Sequence, residues 1–98
     1  MQDRYYVVQM TTRFTSLEDV RVESAETMAA HLARSQQLHE QGILLMAGAF
    51  LDAPGEQVQT MGVLISREAA EDYARNDPFV VAGQVETWVV REWANMLR

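Results

Sequence analysis

The stretch ILLMAGAFLDAPGEQVQTMGVLI, Ile43 to Ile65, decides the fold. Ile43 to Phe50 is continuous in apolar character and Gln57 to Ile65 alternates, so both segments read as strands. Between them, Asp52-Ala53-Pro54-Gly55 places Pro and Gly side by side and reads as a turn. A hairpin results, and what flanks it on each side is helical. Upstream, a helix is expected from about Ala25 to Gln41, rich in Ala, Leu, Gln and Glu. Ser24 is its expected N-cap, Glu26 sits in the first turn, and Gly42 supplies the left-handed position that ends many helices. Downstream, Ser66 should cap a helix over Arg67 to Asn76. Asp77-Pro78 stops that helix and opens a short turn through Ala82, closed by Gly83.

Working outward, Arg4 to Phe14 is β-branched and aromatic and reads as the first strand. Thr15 to Glu23 is polar, with charges on both sides of Leu17 and Val20, and reads as a loop. Gln84 to Trp93 is the last strand. The order β-α-β-β-α-β is the α+β, ferredoxin-like split βαβ arrangement. Handedness then puts both helices on one face of a four-stranded antiparallel sheet. The other face should be polar if it meets water. Yet Tyr5, Val7, Gln9 and Thr11 alternate with Tyr6, Val8, Met10 and Phe14, and Ile43, Leu45 and Ala47 with Leu44, Met46 and Phe50. Apolar residues on both faces imply that both are covered, and the simplest cover is a second copy. A sheet-to-sheet homodimer is the expectation.

Composition narrows the function classes. Ninety-eight residues, 48% apolar and 22% charged, make one soluble domain spanning 1–98. The longest apolar run, Ile43 to Leu51, falls well short of the ~20 residues that cross a bilayer. Fourteen acidic residues against eight basic ones give a net charge of −6, the wrong sign for a duplex-binding surface. No nucleic acid and no membrane are expected as partners. Without cysteine there is no disulfide framework, thiolate metal site or thiol nucleophile. Met1-Gln2-Asp3-Arg4 leads straight into strand character with no apolar leader, so a cytoplasmic protein is expected.

Few chemical constellations remain. His31 and His39 lie eight apart on one helix, roughly 12 Å in rise, without acidic residues in a ligand-like frame between them, so no metal is expected. The glycines form no phosphate loop, and no serine elbow is present. His31 lies among Met28, Leu32, Ser35 and Leu38, at the flank of the stripe expected to be buried. It is either a packed histidine with satisfied ring nitrogens or an acid–base group that exchanges a proton near neutral pH. His39 carries the same two readings. Asp77 is a natural partner by type, because a carboxylate on one imidazole nitrogen fixes the tautomer. Before Pro78, however, it is also a helix N-cap, and on spacing alone capping is the better reading.

The run AHLARSQQLHEQGILLMAGA from Ala30 to Ala49, Gly62, and SREAAEDYARNDPFVVAG from Ser66 to Gly83 together resemble the YCII-related (YciI-like) family. The ordered landmarks are His31-Leu32, Gly42, Gly48, Gly62, Asp77-Pro78-Phe79 and Trp93, and the likeness runs from about Arg4 to Trp93. The resemblance implies a dimeric α+β barrel and an active site centred on His31 and Asp77. It also links the chain to turnover of small, often aromatic or halogenated compounds. Ala49 stands where many relatives have Pro, and Met28 where many have a basic residue that could steer an anion. The resulting expectation is a small enzyme without a cofactor, using His31 as acid or base and Asp77 to orient it. Isomerisation, elimination with loss of halide, and dehydration of a small carbon acid all suit that pair. Ser35 should hydrogen-bond the small-molecule substrate, and Tyr5 or Tyr6 with Met46 should wall an apolar pocket. The competing expectation is a non-catalytic module that binds a small molecule or a partner through the same cleft.

Overall fold

The computed structural model describes residues 2–97, so the outermost residues of the expected 1–98 domain, Met1 and Arg98, lie outside it. The elements are β1 (Arg4–Thr12), α1 (Leu17–Glu23), α2 (Ala25–Glu40), β2 (Leu44–Ala49), β3 (Gln59–Leu64), α3 (Arg67–Arg75), α4 (Pro78–Val81) and β4 (Val85–Ala94). The strands form one sheet in the order β2-β3-β1-β4, each neighbour antiparallel. This is the ferredoxin-like α+β arrangement that the hairpin and its flanking helices predict.

The two helix ends read from Gly42 and Gly83 are built as expected. Gly42 sits at φ 75° and Gly83 at φ 73°, conformations that side chains with a Cβ resist. The Ile43 amide donates to the Leu38 carbonyl and Gly42 to His39, while Gln84 donates to Phe79 and Gly83 to Val80. Both ends are therefore Schellman motifs, which satisfy carbonyls that the helix leaves open.

The segment expected as a loop, 15–23, is a correction, because most of it forms α1. Ser16 caps it by accepting from the Asp19 amide at 3.0 Å, and Glu18 and Asp19 lie in its first turn. Only Val20 is buried, in a cluster with Phe14 and Phe79. One inward residue per two turns is too sparse for a periodic signal, so tertiary burial rather than pattern selects the helix. Ser24 does not cap α2 with its side chain either. It is buried, its amide closes α1 on the Val20 carbonyl, and its hydroxyl accepts from Gln84 Nε2 at 2.9 Å.

The even-numbered side of β1 faces the helices. Val8 and Met10 join Leu44 and Leu64 under the α3 stripe Ala70, Tyr73 and Ala74, spaced i, i+3, i+4. By contrast, α2 has no buried residue, and Leu32, expected near a buried stripe, is 58% exposed. Its sheet-facing row is Thr27, Met28, His31, Arg34, Ser35 and Leu38, all half-buried. Ala47, Gly62 and Thr60 are small residues of the sheet below it, and a cavity separates them from the helix. Arg34 holds it there, donating to the Tyr73 and Asp72 carbonyls at 3.0 and 3.2 Å. The opposite sheet face carries Tyr5 against Trp93, with Val63, Met46 and Val89 in the neighbouring rows.

Candidate functional site

The gap between α2 and the sheet is a cavity of about 510 Å³, within the range of small-molecule sites. Its walls are mostly apolar, from Val8, Met10, Phe14 and Leu44 among others, and His31, Ser35, Tyr73 and Asp77 bring the polar groups. His31 and Asp77, 46 residues apart, meet at this wall with Nδ1 to Oδ1 at 2.5 Å. The Asp77 side chain is 1% exposed and that of His31 23%.

Asp77 makes both contacts, because its two oxygens act separately. Oδ2 accepts from the Phe79 amide at 3.0 Å and caps α4, with Pro78 at the first helical position. Residues before proline favour extended backbone, and Asp77 at φ −60°, ψ 132° conforms. That conformation leaves Oδ1 free to reach across to α2. With Asp77 ionised it can only accept, so Nδ1 carries the hydrogen of the His31–Asp77 bond, and in the neutral ring that leaves the lone pair on Nε2. The Phe79 ring, 5.3 Å from the His31 ring centre, packs against the imidazole. A neutral imidazole whose second nitrogen is held by a buried carboxylate is a competent proton acceptor, and the carboxylate stabilises the imidazolium that forms.

His39 is oriented differently. Its Nδ1 donates to the Leu44 carbonyl at 2.8 Å, tying the end of α2 to the start of β2. It also lines the cavity, but with a backbone partner rather than a carboxylate.

Ser35, one turn beyond His31, lies on the same wall, with its Oγ 3.1 Å from the Tyr73 hydroxyl. Met46 lies at the rim of the cavity on β2, but its register with Val63 turns its exposed side chain to the opposite sheet face. The two tyrosines expected there are corrections. Tyr5 is on the opposite sheet face, with its hydroxyl on the Gln2 carbonyl. Tyr6 is on the helix side but at the far end, where the Arg67 guanidinium lies 5.2 Å over its ring. Neither lines the cavity. Strand alternation gives which residues share a face, but not which end of the sheet the helix leaves uncovered.

Tyr73 is the residue that reading the sequence misses. A signal for it exists: a tyrosine on the stripe Ala70, Tyr73, Ala74 is buried ring and all, so its hydroxyl must find a partner. Burial pushes the phenol above its usual value, and the nearby Asp77 carboxylate adds to the rise. The folded state thus holds the proton more tightly than the unfolded chain. Its contribution to stability is complete below about pH 10 and is lost as pH rises through the folded value. Tyr73→Phe should therefore flatten the decline of unfolding free energy above about pH 10, read by urea titration.

Among the described residues, no three His, Asp or Glu side chains are grouped to hold a metal ion, and no helix is long and apolar enough to cross a membrane.

Comparison with known proteins agrees with this architecture. The solved structure of 5-chloro-2-hydroxyhydroquinone dehydrochlorinase (TftG) from Burkholderia phenoliruptrix, in complex with 2,5-dihydroxybenzoquinone, superposes with a TM-score of 0.66 at 24% identity, covering 91% of this chain and 92% of that one. SnoaB, a cofactor-independent oxygenase from Streptomyces nogalater, gives 0.56 at 11% identity over 99% of this chain and 97% of its own. At these identities the likeness is one of fold. Protein YciI of Escherichia coli is 38% identical over 89 residues, 83% of this chain and 87% of the relative, and YciI of Shigella flexneri matches equally. The model of the YCII-related domain matches residues 5–94, and with these relatives it shows that the chain belongs to the YCII-related domain family.

Proposed function

We propose that this protein is a cofactor-independent acid–base enzyme of the cytoplasm, acting on a small oxygenated ring compound, with His31 as the proton-transfer group and Asp77 as its orienting carboxylate. The observation that carries this reading is the 2.5 Å bond between His31 Nδ1 and a buried Asp77 at the wall of an apolar cavity. His31 Nε2 takes a proton from a substrate carbon. The electron pair of that C–H bond moves to a neighbouring carbonyl as an enolate, or forms a C=C bond as halide or hydroxide leaves the next carbon. The imidazolium then returns its proton to another carbon or to water. TftG, which shares the fold, is a dehydrochlorinase bound to a dihydroxyquinone, and this favours the hydroxylated ring and the elimination variant for the present chain.

Incubation with β-chlorinated cyclic ketones and with cyclic enones in deuterated water, followed by chloride release and mass spectrometry, tests the reading. Chloride loss or deuterium uptake dependent on His31 supports it. Tight binding without either reaction would make the protein the small-molecule-binding module instead.

The working unit in this proposal is a homodimer packed through the open sheet face. Met46, Val89 and Trp93 on that face are 62%, 49% and 53% exposed, apolar side chains on both edge strands that a second copy covers. Light scattering at micromolar concentration should give twice the 11.1 kDa chain mass. Val89→Lys should bring the mass down to that of one chain.

A further inference from the structure

Proton transfer through His31 leaves the second polar feature of the cavity unused. Ser35 and Tyr73 together carry two hydroxyl hydrogens, and the 3.1 Å bond between them consumes one. The other remains available to whatever enters. The surroundings decide which hydroxyl offers it. Tyr73 is 4% exposed, with its ring held between β3 and α2: a Cβ at Gly62 would stand 3.4 Å from ring Cε2, and the Arg34 guanidinium lies 5.3 Å from the ring centre. The phenol has little access of its own, which leaves Ser35 Oγ as the acceptor within reach of its hydrogen. Ser35 is half-buried on the cavity wall, one turn of helix from His31.

We propose that Ser35 donates its hydroxyl hydrogen to an oxygen of the bound molecule, and that Tyr73 is the positioning residue that donates to Ser35 and so aims it. The inference rests on reading the cavity as a substrate site and specifies what that site selects. One helical turn is about 5.4 Å, the span across a six-membered ring and its substituent. The ligand class is therefore a ring bearing a carbonyl or phenolate oxygen on the side opposite the hydrogen that His31 removes. A hydroxyl that itself accepts from a phenol is polarised toward its own acceptor, so the pair favours an oxygen that becomes anionic.

The unreactive probe 4-nitrophenolate tests this, because its absorption band moves to shorter wavelength when its oxygen accepts a hydrogen bond. Bound to the wild type, its band should lie at shorter wavelength than in an aprotic solvent. Ser35→Ala should weaken binding about 10- to 100-fold and erase the shift, the effect of losing a donor to a charged oxygen. Ser35→Thr should retain the shift. Tyr73→Phe keeps the ring, and should weaken binding about 2- to 10-fold with a smaller shift. Melting temperatures of these variants identify any that fail to fold. Tyr73→Phe with the wild-type shift overturns the relay, and Ser35→Ala with the full shift, or no binding by the wild type at millimolar probe, overturns the donor itself. The probe does not turn over, so these results are independent of the His31 assay. An unchanged His31→Gln enzyme refutes the acid–base reading without altering the spectrum.

Discussion

Replacing His31 with Gln lowers turnover about 10²- to 10⁴-fold, the contribution typical of a positioned acid or base, while the fold persists. Gln is the informative replacement because of what lies behind His31. Asp77 is 1% exposed and gives one oxygen to the imidazole. The Gln amide can still donate to that oxygen, so the buried carboxylate keeps a partner. His31→Ala removes the partner and leaves the buried carboxylate with only the Phe79 bond, a loss of roughly 1–3 kcal/mol. For a domain of this size that is a fall in melting temperature of roughly 4–24 °C, and inactivity in a variant that has unfolded would say nothing about chemistry. Steady-state kinetics on any substrate found, with thermal melts of both variants, checks the contrast. Full activity in a folded His31→Gln protein would remove the acid–base proposal.

Asp77→Asn should be nearly as inactive and almost as stable as the wild type. Asp77 accepts at both oxygens, from His31 and from the buried Phe79 amide. Asn has one acceptor oxygen, so only one of these bonds survives as it stands. Giving up the Phe79 bond forfeits a helix cap, about 1 kcal/mol. Keeping the cap instead turns the introduced amide group toward His31, whose ring answers by moving its hydrogen from Nδ1 to Nε2. Imidazole does this at little cost, so the cap wins and the tautomer inverts. The lone pair then faces the introduced amide nitrogen instead of the cavity. In catalytic triads the same inversion costs about 10⁴-fold in rate. Nitrogen chemical shifts of His31 should report hydrogen on Nε2, alongside a melting temperature within roughly 8 °C of wild type. Asp77→Ala separates the two roles from the other side. It loses cap and partner together, at a combined cost of about 2–4 kcal/mol.

Legibility follows the range of the physical signal. The Asp77 cap, the stop at Pro78 and the glycine-ended helices depend on neighbours within a turn, and all of them can be read. α1 cannot, because its reason for existing is Val20 reaching Phe14 and Phe79, a contact without local periodicity. The pocket walls are legible only in part. Alternation tells Tyr5 from Tyr6, but it does not show that the cavity opens at the other end of the sheet from both. Tyr73 escapes reading because its hydroxyl partner, Ser35, is 38 residues away.

By itself, then, the sequence determined the order of strands and helices, the antiparallel hairpin at its centre and the apolar character of both sheet faces. These follow from side-chain periodicity and turn chemistry, which each segment carries within itself. Tertiary structure alone decided that α2 stands off the sheet, that Asp77's second oxygen meets His31 across 46 residues, and that Ser35 meets Tyr73 in the same cavity. The reason is steric. Small residues at Ala47, Gly62 and Thr60 cannot fill the space under α2, and the gap they leave is where the polar groups converge.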